Sequence, residues 1–598
     1  MKEFNSMSFQ QKLDTCSRLL SGRQLEPYVK KIVFSNYKNF STNTTIEFQY
    51  PLTVLVGRNG TNKSSVLKAL SACIDGTSLA DLWFETDIDS IHSAGYWYTY
   101  DYEISRRRTV EAQVYLTKRK REGNLDYWET SAPSTAIGMQ PYLSEDDPAF
   151  ESLPNKTRWA KIDSAKKKSM YLSFRESLSS FDQFYYYGTY KWTFTLIKEK
   201  KEYIRTNSKV LSKVIAQNIS DLDRYGKKRV FENVVLSREI VEKISIILGV
   251  DYDEIRLVKH NLFNNLGYTC HLKKHGLNYS EAFAGSGEFA VINMVNKIEQ
   301  TRDKSLILID EPEVSLHPEA QRKFLEYLID KIITNKHQIV IATHSIELIK
   351  NLPPSAIKLI KLNEENKAII ERQYCLQDEA FQDLGVNDFN KHKIYVEDDV
   401  AELFLKIVLA KSTKLTPDLF EIIVFPGGDS RIYSAVVSSA CISQSNKEHI
   451  FLDGDKDKQI DLLNPEQITT QMIDSGELDQ NIIDFVGNVS FLPCNSGGNN
   501  ETNIDIKKNF LIWAQKNIAF LPSPELNPEQ YLLRKKGIDL GRDEAKTYFI
   551  QKTKEKYPHL DAVALKNVLI SEEIEALEMT DPDIIFIENC LLRFLDLL

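Results

Sequence analysis

Apolar and polar residues alternate over short segments near the start of the chain, a pattern typical of half-buried β-strands. The segments YVKKIVFSNY, TTIEFQY and LTVLVG predict three strands, and a helix is predicted to begin at Lys63. After the apolar segment LILIDEPE, the pattern predicts a helix at about Glu319–Ile333 and then the strand QIVIATHS. Short apolar strands that alternate with helices predict an α/β fold with a parallel sheet.

A second series of strands and helices follows further along the chain. The segments KIYVE, EIIVFPGG and HIFLDGD predict strands, with the helices VAELFLKIVLA and RIYSAVVSSACI between them. We expect two domains, residues 1–385 and 386–598, and the part after about Asn500 should be helical. Residues from about 96 to 275 lack this regularity. We expect them to form an α+β insertion in the first domain, because a glycine-rich segment, LVGRNGTNKSS, and an acidic one, LILIDEPE, lie on either side of them and both have features of a nucleotide site.

The composition indicates an ordinary globular chain of several domains. A chain of 598 residues with 42% hydrophobic and 27% charged residues is too long for one core and too apolar for disorder. The net charge of −9 argues against bulk coating of nucleic acid and leaves room for a local basic groove. Seven scattered cysteines without a CxxC pair indicate reduced thiols. With no signal peptide or membrane span in the sequence, we expect a soluble cytoplasmic protein.

The segment LVGRNGTNKSS has the setting of a phosphate-binding loop, because it follows a predicted strand and opens a predicted helix. Gly57 and Gly60 let the backbone curl so that its N–H groups face phosphate oxygens. Lys63 adds a cation and Ser64 a hydroxyl for Mg²⁺. Asn62 stands where a third glycine is usual, and asparagine tolerates positive φ. The residues expected to bind ATP here are Gly57, Asn59, Gly60, Asn62, Lys63, Ser64 and Ser65.

An acidic strand end supplies the other half of this nucleotide site. In LILIDEPEVSLHPEAQ, Asp310 is expected to hold the hydration shell of Mg²⁺, and Glu311 to orient or deprotonate the attacking water. His344, in IATHS at the end of the next strand, is placed to contact the γ-phosphate. The segment FAGSGEFAV adds Ser286 and Gly287.

These motifs resemble, in order, those of ABC-type ATPases: Walker A, signature, Walker B followed by Glu, the D-loop SLHP and an H-loop. In that family the signature of one subunit caps the nucleotide of the other, which implies a dimer with contact through Ser286 and Gly287. Gly285 stands where the family usually has serine. Gln113 is a candidate for the Q-loop, with a plain surface glutamine as the favoured alternative.

Aspartates at alternate positions follow the apolar run in HIFLDGDKDK. An EF-hand loop needs Gly and Glu where Lys458 and Asn464 stand, so that kind of calcium loop is excluded. A solvated Asp-Gly turn remains an alternative. Glu397 ends the first strand of the same series, and the ends of parallel strands open onto one crevice. We therefore expect Glu397, Asp453 and Asp455 to converge on Mg²⁺ or Mn²⁺.

An acid at one strand end and a DxD pair at a later one resemble the Toprim domain of topoisomerases, primases and some nucleases. That family usually has glycine where Asp398 stands, and Glu402 matches a second acid of its nuclease versions. An ABC-type ATPase with an insertion, followed by a Toprim domain, resembles the OLD (overcoming lysogenization defect) family of ATP-dependent nucleases. The resemblance implies metal-dependent DNA cleavage, often in antiphage defence, with some members acting as retron effectors. The metal ligands that it implies are Glu397, Glu402, Asp453 and Asp455.

The same family has a lysine near the scissile phosphate and a late acidic ligand. Lys535, Lys536 and Glu529 are candidates for these roles, and a surface position is the favoured alternative for all three.

Three basic runs lie in the expected insertion: SRRRT, TKRKR and AKKKS, at Arg106–Arg108, Lys118–Arg121 and Lys166–Lys168. They could neutralise nucleic-acid phosphates, although charge runs are more often solvated faces. The aromatic segment FDQFYYYGTYKW, at Phe181–Trp192, could stack bases. Packing in a core or a subunit interface is favoured for it.

The sequence thus predicts an ATP-binding, Mg²⁺- or Mn²⁺-dependent Toprim endonuclease that cleaves DNA and assembles as a homodimer or higher oligomer. A regulatory protein or nucleic acid is a further expected partner. Two alternatives stay open: a nucleotide-gated ATPase scaffold or sensor with an inert Toprim-like domain, and a nuclease that acts on RNA.

Overall fold

The computed structural model divides the chain into two compact units, Met1–Asn387 and Asp388–Leu598. The residues that it describes are 7–91, 93–105, 108–145, 147, 150, 153, 155–173, 178–190, 197, 199–314, 316–385, 391–487, 492, 500–522, 526–558 and 565–597.

The first unit contains sixteen strands and eight helices among its described residues. The strands are β1 (Val29–Asn36), β2 (Thr44–Glu47), β3 (Leu52–Val56), β4 (Gly95–Ser105), β5 (Arg108–Arg121), β6 (Asn124–Ser131), β7 (Ser169–Ser173), β8 (Leu222–Arg224), β9 (Lys227–Val235), β10 (Glu254–His260), β11 (Gly267–Lys274), β12 (Leu277–Ser280), β13 (Leu306–Asp310), β14 (Gln338–Ala342), β15 (Ile357–Leu362) and β16 (Ala368–Arg372). The helices are α1 (Phe9–Ser21), α2 (Lys63–Ser71), α3 (Ser180–Asp182), α4 (Lys200–Ala216), α5 (Arg238–Leu248), α6 (Ser286–Glu299), α7 (Pro318–Asn335) and α8 (Gln377–Asp383).

The central sheet of this unit has the strand order β16-β15-β3-β14-β13-β7. All its neighbouring strands run parallel except β16. Every residue of β3 and β14 is buried, which explains their continuous apolar sequences, since parallel strands are covered on both faces. The carboxyl ends of β3, β13 and β14 share one edge, because Asp310 is paired with Ala342 and Ala342 with Leu55. This edge carries the predicted nucleotide motifs.

Residues 96–275 differ from the single insertion that the sequence suggested. Strands β4, β5 and β6 extend an antiparallel sheet that starts with β2 and β1, and β7 belongs to the central sheet. The core explains this arrangement, because Tyr96, Tyr98 and Tyr100 of β4 pack in the cluster that also contains β1 and α2. Strands β8–β12 form a separate antiparallel sheet in the order β12-β11-β10-β9-β8.

The second unit is built on a four-stranded parallel sheet in the order β18-β17-β19-β20. Its strands are β17 (His392–Val396), β18 (Phe420–Val424), β19 (Glu448–Leu452) and β20 (Ile518–Phe520). Its helices are α9 (Asp399–Lys411), α10 (Gly428–Ile432), α11 (Ser438–Ser443), α12 (Thr470–Asp474), α13 (Glu477–Val486), α14 (Asn500–Asn517), α15 (Pro528–Lys535), α16 (Arg542–Lys556), α17 (Leu565–Glu575) and α18 (Pro582–Phe594). None of the helices in the described part of the chain combines the length and apolar character that a bilayer crossing requires.

Candidate functional site

The loop between β3 and α2 depends on two unusual backbone conformations. Gly57 has φ of 152°, and a Cβ at this position would lie 2.2 Å from the carbonyl oxygen of Ile360, so only glycine fits. Asn62, the N-cap of α2, has φ of 68° in the left-handed region. Asparagine tolerates this conformation better than most side chains, so it can replace the usual glycine without breaking the turn.

Lys63 lies inside this loop and is bound to the loop's own backbone. Its Nζ donates to the carbonyl oxygens of Gly57 at 2.7 Å and Arg58 at 2.9 Å. Burial lowers the pKa of Lys63 to about 8, against the opposing effect of nearby carboxylates. The ammonium is therefore still mostly protonated at neutral pH, and it can exchange the two carbonyls for phosphate oxygens.

Two hydroxyl groups hold Asp310 at the end of β13. Ser64 Oγ donates to Asp310 Oδ1 at 2.9 Å, and Tyr171 OH donates to Asp310 Oδ2 at 2.8 Å. The hydroxyl and carboxylate predicted to share Mg²⁺ are thus direct neighbours, and oxygen ligands of this kind suit that ion. Sequence reasoning missed Tyr171, because it lies on β7 and no local motif marks it.

Glu311 and His344 face each other across the ends of β13 and β14. His344 Nε2 lies 3.9 Å from Glu311 Oε1, and the backbone N–H of His344 donates to Glu313 Oε1 at 2.7 Å. Burial and then the charge of Lys63 lower the pKa of His344, which favours the neutral imidazole. Glu311 has φ of 51°, a strained conformation for a residue other than glycine. Such strain is often retained at functional sites, and it aims the Glu311 carboxylate towards His344 and the loop.

The remaining predicted nucleotide-binding residues of the loop and α2, Asn59, Gly60 and Ser65, differ in their exposure to solvent. Asn59 and Gly60 are exposed at the tip of the loop. Ser65 departs from the expectation: it is buried, and its hydroxyl accepts a hydrogen bond from Lys38 Nζ at 2.9 Å. It lies one residue further round α2 than Ser64, so its side chain points into the protein rather than towards the loop.

The predicted signature segment begins a helix. Ser286 is exposed and Gly287 half-buried in the first turn of α6, with Gly285 as the N-cap. Glu288 closes the cap by accepting from the backbone N–H of Gly285 at 3.0 Å. Its other carboxylate oxygen accepts from Tyr252 OH and Tyr279 OH, so the helix start is fixed. Ser315 of the predicted D-loop lies outside the described residues.

In the second unit, Glu397 and Asp453 come together at the ends of two adjacent parallel strands. Glu397 follows β17 and Asp453 follows β19, and the backbone N–H of Asp453 donates to Glu397 Oε1 at 3.4 Å. Asp453 is only 4% exposed, and mainly through burial its pKa is raised to about 8. The carboxylates whose charges add to this rise are Asp398, Glu397, Asp455 and Glu529.

Two cations and one further acid border this cluster, and the sequence analysis had not singled them out. Lys456 Nζ lies 3.9 Å from Glu397 Oε2 and 3.6 Å from Asp429 Oδ2. Arg542 Nη1 lies 3.4 Å from Asp455 Oδ2. Asp429 could have been found, since the segment FPGGD places it just beyond the end of β18, the neighbour of β17 in the same sheet.

The chemistry of the carboxylate oxygens in this cluster suits a divalent ion. Asp453 Oδ1 and Asp455 Oδ1 are buried and have no hydrogen-bond partner, which is costly for carboxylate oxygens unless a cation approaches them. Within the described residues, however, no three His, Cys, Asp or Glu side chains are already gathered closely enough to hold a metal. The oxygens are of the kind that Mg²⁺ or Mn²⁺ prefers, and the side chains would have to move closer together to hold the ion.

Asp398, which stands where the Toprim family usually has glycine, and Glu402, an expected metal ligand, both make contacts of their own on α9. Asp398 caps α9, because its Oδ1 accepts from the N–H groups of Val400 and Ala401 at 3.0 Å. Glu402 pairs with Lys406 at 2.7 Å on the side of α9 that faces α17. No ion pair or hydrogen bond in the described part of the chain joins Glu402 to Glu397, Asp453 or Asp455, and its role as a metal ligand stays a prediction.

The three candidates near the end of the chain, Lys535, Lys536 and Glu529, lie in different surroundings. Lys535 pairs with Asp581 and Asp583, and Lys536 pairs with Glu573, so neither faces the cluster. Glu529 was expected at the surface and is instead fully buried at the start of α15, where its charge acts on Asp453.

The run Lys118–Arg121 is neutralised by acids, whereas Lys166 and Lys168 are exposed with no acidic partner among the described residues. Lys118 is buried against Glu85 and Asp126, and Arg119 and Arg121 pair with Glu129. In the other two runs, Lys167 is fully buried, Arg108 pairs with Asp147, and Arg106 and Arg107 lie outside the described residues.

Gln113, the Q-loop candidate, was expected at the surface. It is buried on β5, and its Oε1 accepts from the backbone N–H of Gln140 at 2.8 Å.

The chain is similar to several known proteins. The chain is 20% identical over 408 residues to the "Retron Vc95 probable ATPase" of Vibrio cholerae, an alignment that covers 58% of this chain and 76% of that protein. It is 27% identical over 206 residues to the uncharacterized protein MJECL43 of Methanocaldococcus jannaschii, covering 32% of this chain and about half (52%) of that relative. The SMC head domain from Thermotoga maritima superimposes with a TM-score of 0.27 at 14% identity, covering 57% of this chain and 97% of that structure.

A family model gives the assignment. The model described as "AAA domain, putative AbiEii toxin, Type IV TA system" matches residues 52–350, which include the P-loop and the β13 and β14 strand ends. These residues make up half of the chain, and the protein therefore belongs to this AbiEii-like family of AAA-domain ATPases.

Proposed function

We propose that this protein is an ATP-binding nuclease that cleaves DNA phosphodiester bonds with Mg²⁺ or Mn²⁺ at the strand-end carboxylates of its second unit. The observation that carries the proposal is Asp453, a buried aspartate beside Glu397 with an oxygen that has no hydrogen-bond partner. Burying such a group costs several kcal/mol, on the order of the desolvation of an ion, and a structure keeps it where a cation compensates.

The residues of this cluster would have separate roles in cleavage. Glu397, Asp453 and Asp455 would hold the divalent ion, with Glu529 behind them. When bound, divalent ions at such a site activate water and stabilise the leaving oxygen. Lys456 lies between Glu397 and Asp429 and would neutralise part of the phosphate charge as the DNA backbone approaches.

In the ATPase unit, Lys63 would bind the phosphates and Ser64 with Asp310 the Mg²⁺ of ATP. Glu311 would orient the attacking water, and His344 would contact the γ-phosphate. The exposed Ser286, with Gly287, at the N-terminus of α6 suits contact with the nucleotide of a second copy, as in ABC-type dimers, so a homodimer or higher oligomer is part of the proposal. Residence in the cytoplasm also remains a prediction.

The resemblance to OLD-family nucleases, with a Toprim-like second unit, supports a role in antiphage defence. The relative from Vibrio cholerae is named for a retron, and a regulatory protein or nucleic acid as trigger fits that context. The order of the two motif sets along the chain supports the proposal, because the ATPase motifs precede the strand-end acids.

The direct test is cleavage of supercoiled plasmid by the purified chain with Mg²⁺ or Mn²⁺. We expect nicking or linearisation that Glu397→Ala abolishes. Glu448→Gln is the matched control, because Glu448 lies at the opposite end of β19 from Asp453 and should leave cleavage unchanged. Intact plasmid under both metals, or equal cleavage by Glu397→Ala, would refute the proposal. Parallel cleavage assays on RNA substrates would distinguish a nuclease that is specific for RNA.

One observation favours a second function, an ATPase scaffold or sensor with an inert second unit. Among the described residues no three metal-binding side chains are already gathered, and Lys456 provides an internal cation for Glu397. This alternative predicts ATP-dependent assembly, measured by sedimentation and removed by Lys63→Ala, together with intact DNA and RNA.

A further inference from the structure

Gln321 of α7 is a polar side chain on a largely apolar face of the helix. It is 9% exposed, and Phe324, Leu325 and Leu328 follow it at helical spacing on the same buried face. Burying a primary amide costs free energy unless its oxygen and its nitrogen both find hydrogen-bond partners. The amide of Gln321 is stable in this place because both of its ends are bonded.

The Gln321 amide joins two loops of the nucleotide site. Its Nε2 donates to the carbonyl oxygen of Leu316 at 2.7 Å, in the segment that follows Glu311. Its Oε1 accepts from Oγ of Ser345, the residue after His344. A carbonyl oxygen can only accept, so Nε2 must face Leu316, and Oε1 must then face the Ser345 hydroxyl. The amide therefore has one orientation and holds the two loops at a fixed separation.

The backbone turn that carries His344 is held on both sides. The carboxylate of Glu313 accepts from the backbone N–H of His344 at 2.7 Å. On the other side, the Ser345 hydroxyl accepts from the backbone N–H of Glu347 at 3.1 Å and donates its own hydrogen to Gln321. The turn is thus tied to α7 through Gln321.

The contact at the tip of the His344 imidazole is too long to hold the ring. Nε2 lies 3.9 Å from Glu311 Oε1, which is beyond hydrogen-bond distance, and the side chain is 30% exposed. The place of the ring therefore depends on the backbone turn that carries it. A misplacement of about 1 Å in a group that takes part in a reaction can cost about 100-fold in rate.

We infer that Gln321 is a positioning residue for ATP hydrolysis, which holds the turn at His344 so that the imidazole meets the γ-phosphate. The inference rests on the proposed role of His344 and does not involve the second unit. Gln321 acts through Ser345, whereas ATP binding depends on Lys63 and the P-loop. Loss of the amide should therefore leave ATP binding intact and slow the hydrolysis of bound ATP. A purely structural amide would affect stability and leave the rate per folded molecule unchanged.

The test compares Gln321→Met with the wild type, using the full chain with Mg²⁺ and without DNA. Methionine fills a similar space and forms neither hydrogen bond. We expect kcat for ATP hydrolysis to fall about 10- to 100-fold, and the Kd for a non-hydrolysable ATP analogue to stay within about twofold of the wild type. A wild-type kcat, or a loss confined to Kd, would overturn the inference.

The chain provides a matched control in Gln338, which begins β14, whereas His344 follows the other end of that strand. Gln338 is 1% exposed, its Oε1 accepts from the N–H of Val29 at 3.0 Å, and its Nε2 donates to the carbonyl oxygen of Val29 at 2.8 Å. Gln338→Met therefore removes two buried hydrogen bonds of the same kind. It should lower the thermal stability and leave kcat of the folded protein within about twofold. Equal losses of kcat in both variants would overturn the inference in favour of general destabilisation.

Two substitutions at Ser345 provide a second test that leaves α7 intact. Ser345→Ala removes the donor to Gln321 and should lower kcat to a similar extent, whereas Ser345→Thr keeps a hydroxyl and should retain most of the activity. Equal rates for the alanine and threonine variants would contradict the inference.

The His344→Ala background separates this inference from the proposed role of the imidazole. In single-turnover assays, Gln321→Met should cause no further loss in that background, because the two residues act as one unit. A further loss of about tenfold would overturn the inference. Wild-type hydrolysis by His344→Ala would refute the proposed role of His344 and this inference with it. Hydrolysis that is lost in His344→Ala but normal in Gln321→Met would refute this inference alone.

Discussion

Each unit has an aspartate at the end of a buried parallel strand, and the two aspartates differ in the hydrogen bonds that their carboxylates accept. Asp310 accepts hydrogen bonds from Ser64 and Tyr171, one to each oxygen. Asp453 is buried with one oxygen that has no hydrogen-bond partner, and its neighbours are other acids. The first carboxylate is satisfied by the protein alone. The second is stable as an anion only when a cation is supplied, so its protonation and its function depend on what binds there.

The largest expected effect comes from neutralising the second carboxylate. Asp453→Asn should lower DNA cleavage by about a thousandfold or more, comparable to or larger than the loss of one transition-state contact, because a ligand of the ion is removed. The same variant should not lose thermal stability without metal, since burial raises the pKa of Asp453 to about 8 and its carboxyl is already mostly neutral at neutral pH. Plasmid cleavage and thermal unfolding in EDTA measure the two effects. A variant that cleaves normally, or that unfolds much earlier, would contradict the contrast with Asp310.

Glu281 shows what burial does to a carboxylate that has hydrogen bonds but no proposed ion. It accepts from Thr269 Oγ1 at 2.9 Å and from the N–H of Cys270 at 2.8 Å, and burial raises its pKa to about 7. The protonated form is favoured by folding, so its contribution is complete below the unfolded pKa of about 4.5 and is lost as pH rises through about 7.

The expected loss in unfolding free energy from this group is about 3 kcal/mol between those pH values. Denaturant unfolding at a series of pH values should show it in the wild type, and Glu281→Gln should flatten that part of the profile. The conservative control Asp223→Asn, at an exposed position of β8 in the same sheet, should leave the slope unchanged. An identical slope in wild type and Glu281→Gln would show that the buried carboxyl does not titrate in this range.

At the nucleotide site, removal of the Lys63 ammonium should weaken ATP binding rather than lower the stability of the fold. Lys63→Ala removes two charge-assisted hydrogen bonds that phosphate oxygens would take over, each worth about 1.5–3 kcal/mol in general, and ATP affinity should fall about 10- to 100-fold. Lys68→Ala, on the same helix and outside the loop, is the control. Equal affinities of wild type and Lys63→Ala for ATP, measured by calorimetry, would mean that the loop does not bind phosphate.

The sequence predicted contiguous features well and assembled ones poorly. The P-loop, the strand ends at Asp310 and Asp453, and helix α7 are each encoded in one short segment, so local pattern was enough. Tyr171 and Glu529 reach their sites from distant elements, and nothing local marks them. Membership of the ATPase family confirms the nucleotide half of the prediction, and the nuclease half remains a prediction.

The basic residues also show that a local pattern in the sequence does not reveal which side chains share a surface. The contiguous run at Lys118–Arg121 was noticed, and it is paired with acids because successive residues on a strand point to opposite faces and meet different neighbours. The row of exposed cations Lys201, Arg205, Lys209 and Lys213 on α4 was overlooked because its members are separated by three residues, and only a helix brings them onto one face. Periodicity of charge, read in the same way as periodicity of apolar residues, would have found it.

The smallest expected effect tests whether the first site stores strain that the second does not need. Glu311 has φ of 51°, which costs a residue with a Cβ about 1–2 kcal/mol, whereas Asp453 has an ordinary extended conformation with φ of −64°. Glu311→Gly should therefore raise the unfolding free energy, by up to about 1 kcal/mol after the entropy of glycine in the unfolded chain is deducted, and it should abolish ATP hydrolysis. Glu311→Gln keeps the strain and should abolish hydrolysis without a gain in stability. If both variants have the same stability in denaturant titrations, the left-handed backbone at Glu311 carries no strain, and the two sites differ only in how their carboxylates are satisfied.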